Sequence, residues 1–230
     1  MNYRSLTRFH LKDYRRSSLI LLCVLVLVDI AMAVLMKLLP SLDMGSADSI
    51  FSVNRTIITI FAFISMIITV AVTFPLMSSF SVTRRNFYIS TLLALLGFCI
   101  TATLAESILY LIGRVVLPSW GLVVDVDRSL VLSWYTFLVT LLELSIATFL
   151  VGSIFYRFNI IMGIFSAVVY FGLTDLLSKL LSSPDYVEES ALFQLSPETA
   201  HPGSTLSVWF IIALCVTAGW LVYRRTDVRM

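Results

Sequence analysis

The sequence predicts an all-α membrane protein: six transmembrane helices, led by an N-terminal amphipathic helix lying in the membrane interface. Three observations predict it. Hydrophobic residues make up 59% of the chain and charged residues only 13%, with a mean hydropathy of +0.95; soluble domains carry about a quarter charged residues. The apolar residues are gathered into long runs, and a helix needs about 20 of them to cross a hydrocarbon core about 30 Å thick. The basic residues alternate in density from one inter-run segment to the next.

Residues 1–17 open the chain. Placed on a helix, Arg4, Arg8, Lys12, Arg15 and Arg16 share one arc, and Tyr3, Leu6, Phe9 and Tyr14 share the opposite one. That pattern suits an interfacial helix. The first span is expected over 18–39, closed by Pro40. Its apolar run exceeds the roughly 7–15 residues of a signal-peptide core, so it reads as a retained span. The second span, 55–79, contains Pro75, which neighbouring helices can accommodate. A short polar break from Ser81 to Asn86 leads to the third span, 87–112. Residues 113–129, with Arg114 and Pro118, read as a loop before the fourth span, 130–154. The turn Tyr156-Arg157-Phe158-Asn159 leads into the fifth span, 160–181. An acidic, proline-containing segment, 182–204, precedes the last span, 205–223. The whole chain, 1–230, reads as one transmembrane domain.

Orientation follows from the short-loop cations. The N-terminal five, Arg84 and Arg85, Arg157, and Arg224, Arg225 and Arg229 in the tail make eleven of the 16 Lys and Arg residues, all on one side. Eight of the 14 acidic residues fall on the other. Both termini are therefore expected in the cytoplasm.

Four carboxylates fall inside spans: Asp29, Glu106, Glu143 and Asp175. Each is costly there, at about 2.5–3.5 kcal/mol on insertion scales, and such groups face a partner helix or a polar path. Few cations share the spans, and no His or Arg adjoins these acids, so the four are candidates for a translocation path taking positively charged cargo. The alternative is helix–helix hydrogen bonding. Asp29 and Glu143, near mid-span, favour the path; for Glu106 and Asp175 the two readings balance. Cys23, Cys99 and Cys215 each lie in an apolar run and read as small core residues. Small residues such as Gly152, Gly163 and Gly219 read as sites of close helix approach.

Several chemistries are missing. There is no GxxxxGK[ST] phosphate loop, no HExxH and no GxSxG. With no nucleophile–base pair, no catalytic residue is assigned and an enzyme is not expected. No metal site is expected, since His10 and His201 fall on opposite sides of the membrane. The basic N-terminal helix, next to a span, reads as facing lipid and not nucleic acid.

Three features together resemble the permease subunits of type-2 ABC transporters (ABC-2), of the bacterial exporter type. They are the basic amphipathic helix before the first span, the turn Ser78-Ser79-Phe80-Ser81-Val82-Thr83-Arg84-Arg85-Asn86-Phe87-Tyr88, and the ending Trp220-Leu221-Val222-Tyr223-Arg224-Arg225-Thr226-Asp227-Val228-Arg229. The turn looks like the family's small-x-x-[ST]-Arg-Arg-x-Phe signature, with Phe80 and Ser81 where the family has a glycine. The resemblance implies a permease paired with a second copy or a related permease in the plasma membrane. It also implies two copies of a separate ABC ATPase, which would hold ATP and Mg; this chain would bind no cofactor. Ser81, Thr83, Arg84, Arg85 and Phe87 would couple that ATPase to the spans. Short re-entrant helices would occupy 182–204. Small permeases of this kind suggest export of amphipathic or antimicrobial peptides. Two other classes compete: an ion-coupled carrier or channel without an ATPase, and a scaffold or sensor subunit with no flux.

Overall fold

The computed structural model describes residues 3–38, 48–79, 82–120, 130–181 and 202–224. Every regular element among them is helical. Helix α1 spans Tyr3–Leu38 and α2 Asp48–Ile68; a π-helical turn, Thr69–Thr73, joins α2 to the short α3, Phe74–Ser79. Next come α4 (Arg84–Ser119), α5 (Leu130–Arg157), α6 (Ile160–Leu181) and α7 (Pro202–Arg224).

Among the described residues, four helical stretches are long and apolar enough to cross a membrane: Tyr14–Leu38, Ile50–Met77, Arg84–Ser119 and Leu130–Arg157. Two shorter apolar stretches follow, Ile160–Leu176 and Val208–Arg224. At 1.5 Å per residue the first of these is about 25 Å long. The flanks of the helices expose Leu19, Ile20, Leu27, Ile67, Leu93, Val168 and many other large aliphatics. Such a surface suits lipid and not water. The described residues are thus all-helical, with at least four candidate spans, as suits a membrane protein. The expected re-entrant helices fall mostly in 182–201, outside the described residues.

Three boundaries differ from expectation. The N-terminal segment does not end before the first span: α1 runs without a break from Tyr3 to Leu38. Its inward side explains this, because Leu6 is fully buried and the Tyr14 ring lies 5.7 Å from that of Phe98 on α4. Packing on the bundle continues the helix where amphipathicity alone suggested a bend. Helix α4 continues past the expected end at 112, through Arg114 and Pro118. A proline removes one helical hydrogen bond, and here it does so only in the final turn. Helix α2 begins at Asp48, ahead of Arg55, and so carries Arg55 within a helix.

Pro75 sits just beyond the π turn. A proline in a helix lacks an N–H and crowds the carbonyl four residues back, here that of Ala71. In the wider π turn the Phe74 N–H donates to the Thr69 carbonyl, five residues back, and the Thr69 hydroxyl donates to the Ser65 carbonyl at 2.8 Å. Thr83 starts α4: it is extended (ψ 140°) and its hydroxyl accepts from the Asn86 amide at 3.4 Å, an N-cap arrangement. The α5–α6 turn is closed by the Asn159 side chain, which accepts from the Ile160 amide at 2.8 Å.

Side-chain pairs set the directions of the helices. Tyr14 meets Thr69 and Asp29 meets Asn54, so α1 and α2 are antiparallel. Tyr14 packs at the middle of α4 and Met36 toward its end, so α1 and α4 run side by side in one direction. Two cores result. One, near the Trp120 end of the bundle, joins Ala33, Met36, Ile50, Phe51, Tyr110 and Leu117. The other, at the Arg84 end, is rich in aromatic rings. Phe87 lies 5.3 Å from Phe74 and 5.9 Å from Tyr223, and Tyr223 stacks on Phe149 at 5.6 Å. Ring pairs at these separations add about 0.5–1.5 kcal/mol each beyond their buried area.

Candidate functional site

A polar cluster joins four helices toward the Trp120 end. Asn54 Nδ2 on α2 donates to Asp29 Oδ1 on α1 at 2.7 Å. The next residue, Arg55, reaches the other way: its Nε donates to Glu106 Oε1 on α4 at 2.8 Å, and its Nη2 to Ser133 Oγ on α5 at 2.6 Å. The guanidinium also lies 5.3 Å over the Phe137 ring. Glu106 is only 2% exposed, and Asn54 is fully buried. Asp29 and Glu106 belong to one cluster because their partners, Asn54 and Arg55, are adjacent on α2. One arginine and two carboxylates leave a formal excess of one negative charge.

The sequence shows few cations in the spans and no arginine beside these acids, but the structure places Arg55, at the head of the expected second span, on Glu106. The signal was present as Asn54-Arg55, a polar pair at the head of the apolar run. Its direction was not legible, since Glu106 and Ser133 are 51 and 78 residues away in sequence.

Glu143 lies apart on α5, half-buried, and accepts from the Tyr170 hydroxyl on α6 at 3.1 Å. Asp175 is half-buried on α6. Asp29 and Glu106 are therefore brought together, while Glu143 belongs to the α5–α6 contact.

The Arg84 end redistributes the residues expected to couple an ATPase. Thr83 is the cap of α4. Arg84 is half-buried, and its Nη1 reaches the Arg224 carbonyl on α7 at 3.4 Å. Arg85 is exposed. Phe87 is 1% exposed and sits in the aromatic core, so it supports the turn from inside and presents no docking surface. Ser81 lies outside the described residues. Arg157, which the sequence marked only as a topology anchor, donates to the Val222 carbonyl at 3.0 Å. Tyr88 donates to the Val216 carbonyl at 2.6 Å. Three side chains from α4 and α5 thus hold the backbone of α7.

Cys99 and Cys215 are buried, as expected, but Cys23 is exposed on the flank of α1. Comparison of the chain with protein-family models, characterised proteins and solved structures gives no match.

Proposed function

We propose that the chain is the permease subunit of an ATP-driven bacterial exporter, powered by a separate ABC ATPase. The observation that carries this reading is the linkage behind the turn at Thr83–Arg85. Arg85 is exposed and can meet a partner surface. Its neighbours Arg84, Phe87 and Tyr88 tie the same turn to α3, α5 and α7. A push on the turn is passed to those helices, because a close-packed core transmits displacement.

In this reading both termini are cytoplasmic, the membrane is the bacterial plasma membrane, and two permease chains meet two ATPases that hold ATP and Mg. The cargo is an amphipathic or antimicrobial-type peptide, moved outward. Glu106 is bridged by Arg55, and Asp29 and Glu143 are the acids assigned to a cationic cargo. The test is purification from native membranes in gentle detergent. A co-purifying soluble ATPase of about 250–300 residues, with ATPase stimulation by peptide in proteoliposomes, is the expected result. A preparation that stays free of any ATPase rejects the reading.

The second reading, an ion-coupled carrier, is favoured by one observation: the Asp29–Asn54 and Glu106–Arg55–Ser133 links bind four helices through groups that respond to a cation or proton. It requires flux driven by an ion gradient without ATP.

A further inference from the structure

Arg8, Lys12, Arg15 and Arg16 are all exposed on α1. At 3.6 residues per turn they lie within an arc of about 100°. The other side of the same turns is packed, with Leu6 buried and Tyr14 against Phe98.

The height of this row is fixed by the bundle. Tyr14 is hydrogen-bonded to Thr69, and Asp29 to Asn54. The two pairs are separated by the same number of residues on each helix, so α1 and α2 run antiparallel without a slip. Arg15 and Arg16 therefore stand level with Ile67 and Ile68, which are exposed and apolar. Phe98, beside Tyr14, lies about 21 Å along α4 from Arg84 at 1.5 Å per residue. The upper half of the row thus sits at the depth where the neighbouring helices expose Ile67, Ile68, Leu93 and Leu96 to lipid.

Cations do not rest among acyl chains without a counter-charge. Among the described side chains no carboxylate is exposed. A second copy presenting the same face would bring like charges together. The chemistry that fits such a face is anionic and tolerates apolar surroundings.

We propose that the row is a track for the phosphate of an anionic phospholipid. The headgroup is drawn inward along Arg8, Lys12, Arg15 and Arg16, and the acyl chains cover the exposed aliphatics of α1 and α2, among them Leu19, Ile20, Ile67 and Ile68. Juxtamembrane cations attract such lipids, and the long side chains of Arg and Lys let the charge follow the headgroup. This inference rests on the membrane setting alone and not on the exporter reading.

The test is native mass spectrometry of the full chain in gentle detergent, titrated with phosphatidylglycerol or phosphatidylcholine. Phosphatidylglycerol stays bound and phosphatidylcholine does not. The Arg8→Gln/Lys12→Gln/Arg15→Gln/Arg16→Gln variant loses roughly tenfold or more in phosphatidylglycerol affinity, while Arg8→Lys/Arg15→Lys/Arg16→Lys retains it. If the quadruple variant does not fold, the Lys12→Gln/Arg16→Gln pair is read the same way. Unchanged binding by a folded Gln variant overturns the proposal, as does equal retention of both lipids. A Lys12→Cys/Cys23→Ser variant that cross-links two copies also overturns it, by assigning the row to a protein interface.

Discussion

Arg55 on α2 and Glu106 on α4 meet at 2.8 Å inside the bundle, with the carboxylate almost wholly withdrawn from the surface. Removing one member of a buried pair strands the other, at a cost of about 3–5 kcal/mol. Arg55→Gln is therefore expected to lower stability by that order, and Arg55→Met/Glu106→Leu by much less. Unfolding in detergent, followed by circular dichroism for both variants and the parent, checks this; equal losses would mean that the pair carries no mutual compensation.

Gly163 on α6 lies so close to the Phe155 ring on α5 that a Cβ there would overlap it. Gly163→Ala should destabilise by about 1–3 kcal/mol, as overpacking does. Gly172, on the same helix, has nothing within 4 Å of its Cβ position, so Gly172→Ala should be neutral. Melting temperatures of the two variants in one detergent make the comparison, and matching shifts would count against the contact.

Phe87 and Arg85 lie on the same turn of α4 but face opposite environments. Phe87→Ala should cost about 3–5 kcal/mol through the cavity it leaves. Arg85→Glu should leave the melting temperature unchanged, since exposed substitutions usually stay within about ±0.5 kcal/mol, and should abolish co-purification of an ATPase. An Arg85→Glu protein that still holds the ATPase would place the docking surface elsewhere.

Glu143 accepts its hydrogen bond from Tyr170, and a glutamine oxygen can accept the same bond. Glu143→Gln should fold normally. Under the exporter reading the variant's flux of cationic peptide falls but what remains still requires ATP; under the ion-coupled reading flux driven by a proton or sodium gradient disappears. Proteoliposomes energised each way separate the two.

Much of the architecture could be read from the chain because apolar runs of membrane length have few alternatives. The spans through Ile50–Met77 and Leu130–Arg157 are of this kind. The site was only half legible. Asp29, Glu106 and Glu143 stood out as polar residues in apolar runs, but their partners Asn54, Arg55 and Tyr170 did not. A hydrogen bond across 25 or 51 residues depends on how far one helix slides along the next. The continuity of the N-terminal helix with the first span was hidden for a related reason. Its amphipathic pattern fits a membrane surface as well as a bundle flank, and only the contacts of Leu6 and Tyr14 distinguish the two.

The π turn before Pro75 also governs how the second span keeps contact. Asn54, Ile58, Ala62, Met66, Val70 and Phe74 are all buried, one at every fourth position. In a helix of 3.6 residues per turn, each such step advances the row by about 40°, and five steps carry it about 200° round. A regular helix would turn Phe74 to the far side from Asn54. The wider coil at Thr69–Thr73 winds the phase back, because its hydrogen bonds span five residues and not four. Deleting Val72 would let the segment close as a regular helix with Phe74 still in phase, because one residue fewer turns the helix back by the same roughly 100°. The π turn thus takes up one surplus residue between the polar cluster at one end of the bundle and the ring stack at the other.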